Sequence, residues 1–114
     1  MHPANLVHIQ GSYSDLIKLV NSKEGLVVVD FFATWCGPCV RLGQELPNIA
    51  NEFPTVTFVK AETEKNEESA TRFGVRSIPN IVFMKGNGGN EVEILGKVSG
   101  FDPSGIRNLC NKHK

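Results

Sequence analysis

Two thiols, Cys36 and Cys39, stand two residues apart in the run Trp35, Cys36, Gly37, Pro38, Cys39, directly after the apolar stretch from Leu26 to Phe32. On a first helical turn, sulfurs at i and i+3 share one face and can close a small disulfide ring, so the pair can store two electrons. A thiol exchanges with a disulfide only as thiolate. A cysteine at a helix N-terminus is favoured in that form by unpaired backbone amides and the helix dipole, which makes Cys36 the expected nucleophile. Cys39, one turn deeper, is expected to be more buried, protonated at rest, and second to attack, releasing reduced substrate. Gly37 allows a partner backbone to approach closely, and Pro38 is tolerated because a first turn has no use for its missing amide. A bound zinc is the competing use of such a pair, but it needs four ligands. His2, His8 and His113 lie far apart and Cys110 stands alone, so no metal is expected. Val40 follows Cys39 where haem attachment needs histidine.

Asp30 is the second informative residue. It interrupts an apolar strand, and by the alternation of that strand it is expected to point inward near the dithiol, where a buried carboxylate is unfavourable and takes up a proton. It is the candidate proton acceptor for Cys39, through a water, when the second thiol must ionise. Lys60, expected at the end of the neighbouring strand, is its candidate charge partner; a plain solvated lysine is the competing reading.

The elements that position these groups alternate. Leu6 to Ile9 reads as a short strand; Asp15 to Asn21 reads as a helix capped by Ser12 or Ser14 and stopped by Gly25. Leu26 to Phe32, nearly all apolar, suits a central strand covered on both faces. A long helix is expected from about Cys36 to Glu52, with a kink at Pro47. Thr55 to Lys60 reads as a strand. Asn66 to Phe73 reads as a short helix capped by Asn66 and ended by Gly74. Ile81 to Lys85 and Val92 to Val98 read as strands joined by a glycine-rich hairpin turn from Gly86 to Asn90. Asp102 and Pro103 open a last helix toward Cys110.

The chain of 114 residues, 40% hydrophobic and 21% charged, has the size of one domain, taken as residues 1–114. Twelve acidic and twelve basic residues give zero net charge, which argues against nucleic acid or an anionic membrane as partner. The first ten residues lack a basic stretch followed by an apolar segment, and no apolar segment approaches the ~20 residues that span a bilayer, so a soluble, unsecreted protein is expected. A cytoplasmic location and a monomeric state are expected with it.

This order, β-α-β-α-β-α-β-β-α with the dithiol after the second strand, resembles the thioredoxin family over nearly the whole chain, from Leu6 to Leu109. The resemblance rests on Val29 to Ala33 leading into Trp35 to Cys39, on Pro47, on Lys60, and on Ile78 and Pro79 before the fourth strand. It implies an α/β fold with a central mixed sheet of four or five strands flanked by helices. It implies a protein disulfide reductase without bound cofactor, contributing to electron transport and cell redox homeostasis. Re-reduction would come from an NADPH-dependent flavoprotein reductase, and the substrates would be disulfide proteins such as peroxiredoxins or reductases. Gly and Pro between the cysteines go, in that family, with a reducing potential of about −270 mV. An ordinary X-Pro bond is trans about 95% of the time. Thioredoxins hold the proline matching Pro79 cis beside the dithiol, freeing backbone groups of Ile78 for an extended substrate. Trp35, Gly37, Pro38, Ile78, Pro79 and Gly100 are then the expected docking surface; ordinary core packing is the competing reading of Trp35.

Glu62 and Glu64 stand where the family commonly carries aspartates, Ser77 replaces a frequent glycine or threonine, and the loop from Gly86 to Asn90 is longer than a tight turn. Cys110 is expected to be inert and partly buried, with a regulatory or intermolecular disulfide as the minority reading. An oxidase or isomerase domain is the alternative within the same chemistry. A binding module in which turnover is incidental is the alternative outside it.

Overall fold

In β2 (Val27–Phe32) the five positions from Val27 to Phe31 are all buried, and the sheet order explains why. The computed structural model, which describes residues 2–114, forms a five-stranded mixed sheet in the order β1-β3-β2-β4-β5. β1 (Leu6–Ile9) and β2 both lie parallel to β3 (Thr57–Glu62); β4 (Asn80–Gly86) is antiparallel to β2 and to β5 (Val92–Ser99). The central strand is thus paired along both edges, its two faces are covered by the helices, and each fully buried Val or Phe contributes about 1.5–3 kcal/mol.

Alternation along β2 divides the core. Val27, Val29 and Phe31 join Leu16, Ile17 and Val20 of α1 (Tyr13–Asn21) and Phe73 beyond α3 (Glu67–Arg72). Val28, pointing the other way, joins Leu42, Leu46, Ile49 and Ala50 of α2 (Gly37–Glu52) and Ile106 and Cys110 of α4 (Pro103–His113). Asp30, two residues after Val28, therefore faces the α2 side.

The ends of several elements differ from the sequence-based expectations, each for a local reason. Ser12, not Ser14, caps α1: its hydroxyl accepts from Asp15 N–H while Asp15 accepts from Ser12 N–H, a closed capping box. β3 starts at Thr57 because Val56 N–H still bonds Phe53 in the turn after α2, and it continues past Lys60 to Glu62 in register with β2. α2 keeps its 16 residues through Pro47; the missing amide is outweighed by the buried face made by Leu42, Leu46, Ile49 and Ala50. Asn66 holds the N-cap position of α3 but makes no capping bond. It is buried, and its side chain turns instead toward Ile9, Glu62 and Gly11. α4 runs past Cys110 to His113.

No helix of the described residues is long and apolar enough to cross a membrane.

Candidate active site

Cys36 is the N-cap of α2, with extended backbone (φ −92°, ψ 113°), and its Sγ accepts the backbone N–H of Cys39 at 3.2 Å. That amide is one of the four a helix start leaves unpaired, so the sulfur takes the place a capping oxygen would occupy. The same contact favours negative charge on Sγ when the bond to Cys39 opens. Gly37 and Pro38 fill the first two helical positions, where the proline sacrifices no intrahelical bond. In this structure Cys36 and Cys39 are joined as a disulfide, with Cα atoms 5.2 Å apart. Their exposures, 6% and 2%, rank as the sequence suggests, but both are buried and the difference is small.

A second backbone segment closes over the pair. The Ile78–Pro79 peptide is cis, and the Ile78 carbonyl oxygen lies 3.8 Å from Cys36 Sγ. Pro79 is buried and Ile78 half-buried, packed against Ala33, Cys36 and Cys39. Upstream, α3 ends in a Schellman turn: Gly74, at φ +69°, donates to Thr71 and Val75 donates to Ala70. Lys97 Nζ donates to the Phe73 carbonyl at 2.9 Å, securing the start of the loop to Ile78. Downstream, Gly100 N–H donates to Pro79 O at 2.9 Å, which brings the β5–α4 turn to the same edge.

Trp35 is 73% exposed, so ordinary core packing does not account for it. Its indole N–H donates at 2.9 Å to Oε1 of Glu64, in the short 3-10 turn Thr63–Lys65 that follows β3. Trp35, Gly37, Pro38, Ile78, Pro79 and Gly100 thus lie around the disulfide on one rim of the sheet.

Asp30 is 1% exposed, and neither carboxylate oxygen has a hydrogen-bond partner among the described residues. Burial pushes its pKa up to about 7, and the positive charge of Lys60 opposes part of the rise. Lys60 is its register neighbour on β3 but forms no salt bridge with it. The ammonium lies 4.4 Å from the centre of the Phe32 ring instead, in the space that Gly43 of α2 leaves open. A cleft of 280 Å³ lined by Phe32, Ala33, Thr34, Cys39, Val40, Gly43 and Lys60 opens there, giving water access to the Cys39 side of the disulfide. Cys110 is wholly rather than partly buried on the α2–α4 side, and its thiol is pushed up to about 12, first by burial and then by the Glu52 charge.

The sequence reading missed three features of this rim: the Glu64 partner of Trp35, the Gly43 opening, and the stacking of Arg41 on Phe101. Only the first left a trace, in the run of glutamates after β3.

The thioredoxin family model matches residues 8–104. A thioredoxin of Chlamydia pneumoniae is 41% identical over 106 residues, spanning 86% of this chain and 99% of that one. Thioredoxin-3, mitochondrial, of Saccharomyces cerevisiae is 29% identical over 114 residues, spanning 93% and 86%. The solved structure of Trichomonas vaginalis thioredoxin superposes with a TM-score of 0.88 at 45% identity, covering 95% of this chain and 96% of that one. A match of this length to the family model, with relatives aligned nearly end to end, means that the chain belongs to the thioredoxin family and is a thiol-disulfide oxidoreductase.

Proposed function

We propose that this oxidoreductase works outward, as a reductant of protein disulfides, with Cys36 attacking and Cys39 resolving. Cys36 thiolate attacks one sulfur of the substrate disulfide; a Cys36–substrate bond forms and the other substrate sulfur leaves as thiolate, to be protonated by solvent. Cys39 then gives its proton, through a water, to the Asp30 carboxylate. Its thiolate attacks Cys36 Sγ, closing the Cys36–Cys39 disulfide and releasing the second substrate thiolate. Two electrons pass to the substrate and none are left over. A group with a pKa near 7 suits this proton transfer at neutral pH, because it is present in both forms there.

The observation that carries the reading is the capping of α2 by Cys36 Sγ, which gives this sulfur, and not Cys39, the amide that stabilises a thiolate. An extended substrate would pair with backbone beside Pro79 while its flanking residues rest on Trp35, Gly37, Pro38, Ile78 and Gly100. The oxidised protein would be returned to the dithiol by an NADPH-dependent flavoprotein reductase, and its substrates would include peroxiredoxins or reductases that form disulfides in turnover. Cytoplasmic action as a monomer, in support of redox homeostasis, completes the proposal. A yeast relative carries the word mitochondrial in its name, and cell fractionation decides the compartment.

Equilibration of the dithiol against a glutathione couple tests the direction of flow. A potential near the family's value of about −270 mV supports a reductant, and one near −120 mV makes the protein an oxidant. A Cys39→Ser variant mixed with oxidised substrate is expected to accumulate the mixed disulfide on Cys36; accumulation on Cys39 in a Cys36→Ser variant instead would reverse the assignment.

A further inference from the structure

Arg41 extends from α2 two residues after Cys39, with its guanidinium carbon 5.2 Å from the centre of the Phe101 ring. Both side chains are exposed, Phe101 by 40%. Phe101 follows Gly100, which is tied to the Pro79 carbonyl, so the stacked pair stands at the edge of the rim that carries the disulfide. Among the described residues no carboxylate comes within 4.0 Å of Arg41, whereas Arg72, which also lies over a ring, is answered by Glu68 at 3.9 Å, and Arg107 by Glu52 at 2.8 Å. Arg76 is likewise without an acidic partner, but it lies over no ring. A guanidinium resting on an aromatic face keeps its in-plane N–H donors free and loses less side-chain freedom when they are used. Such an edge matches a carboxylate approaching in the same plane, which can accept two bonds at once.

The opposite flank carries the opposite charge. β3 and β5 lie on either side of β2 in the sheet, so Glu64, after β3, and Phe101, after β5, bracket the disulfide that follows β2. Glu64 is the acceptor of the Trp35 indole. Resting on the docking surface proposed above, we propose that Arg41, held by Phe101, is a specificity-determining residue that favours disulfides with an acidic residue on the Arg41 side of the attacked sulfur. An acidic residue on the Trp35 side meets Glu64 and is disfavoured, so the pair of charges also sets the direction in which the substrate segment lies.

The test uses three disulfide peptides of one sequence, with Glu, Gln or Lys at a single flanking position, made in two sets with that position before or after the cysteine. Each rate is divided by that of the same peptide with dithiothreitol, which removes the intrinsic reactivity of the disulfide. In one set the protein is expected to prefer Glu over Lys by about three- to tenfold in kcat/KM, weakening as salt is added. Arg41→Met is expected to bring that ratio close to one, Arg41→Lys and Phe101→Leu to leave part of it, and Arg76→Met to preserve it. A preference that survives Arg41→Met, or disappears with Arg76→Met alone, overturns the proposal. So does a parent protein that reduces all six peptides equally, and in that case the reductase reading stands. A parent that reduces none of them, while dithiothreitol does, overturns the reductase reading and this proposal with it.

Discussion

Asp30 and Asn66 are equally buried, at 1% exposure, yet the protein treats them in opposite ways. Asn66 is fully engaged: Nδ2 donates to Ile9 O at 3.0 Å and to Glu62 O at 2.9 Å, while Oδ1 accepts from Gly11 N–H at 3.2 Å. It ties the end of β1 and the turn before α1 to the end of β3, a structural role in which each polar atom removed from water is given a partner. Asp30 lies in the middle of the sheet with neither oxygen bonded. A group left in that condition is a burden on stability. Its ability to hold a proton at neutral pH is the property that burden provides. Ser69 Oγ and Asn80 Oδ1 are also buried without a partner among the described residues, but neither can hold and release a proton near neutral pH, so what sets Asp30 apart from Asn66 is an unpaired group that is also titratable.

The sharpest way to break the contrast is to remove Asp30. At about 1.4 kcal/mol per tenfold, ionising a carboxyl raised from 3.8 to about 7 costs the fold on the order of 4 kcal/mol. Between about pH 4 and pH 7 the unfolded chain has lost this proton while the native protein keeps it, so stability falls as pH rises through that window and levels off above it. Asp30→Ala is expected to lose this slope: the variant's stability relative to the parent rises from pH 4 to pH 8 in urea denaturation. A constant difference across that range removes the buried carboxyl from the account. The same variant is expected to slow release of the mixed disulfide at neutral pH.

Asn66→Ala makes the opposite test. It strips partners from two carbonyls and one amide, and a loss of about 3 kcal/mol is expected in urea denaturation, with disulfide reduction per folded molecule unchanged. A stabilised variant would place Asn66 with Asp30.

Cys110 extends the contrast to sulfur. With its thiol pushed up to about 12, it is expected to resist iodoacetamide at pH 8 in the native reduced protein and to label only in denaturant, as mass spectrometry reads directly. Rapid native labelling would restore it as a regulatory thiol. The smallest effect is expected at the rim: Glu64→Gln weakens a charge-assisted bond to Trp35, for less than about 1 kcal/mol. Because Trp35 is the sole tryptophan, its fluorescence reports the change, and an unchanged spectrum would mean that the bond does not hold the ring in solution.

Much of the molecule was legible before the fold. The apolar run ending at Phe32, the CxxC spacing, and the Asp102–Pro103 start of α4 are local patterns governed by short-range chemistry, and the elements they announce are present. Asn66 was not legible: as an N-cap it fitted the local rule, but Ile9 and Gly11, more than fifty residues away in sequence, compete for the same side chain and win it. Lys60 was half legible, since its strand was found but not its ammonium's place over Phe32, which depends on Gly43 in another element.

What the amino-acid order determines unaided is the chemistry on offer: two sulfurs one turn apart at a helix start, and a carboxylate in an apolar strand. These follow from spacing and side-chain type, which act over a few residues. Whether the carboxylate finds a partner, and what stands beside Trp35 and Arg41, are settled only when distant elements meet, because burial and long-range hydrogen bonding belong to the surroundings of a group and not to its position in the chain.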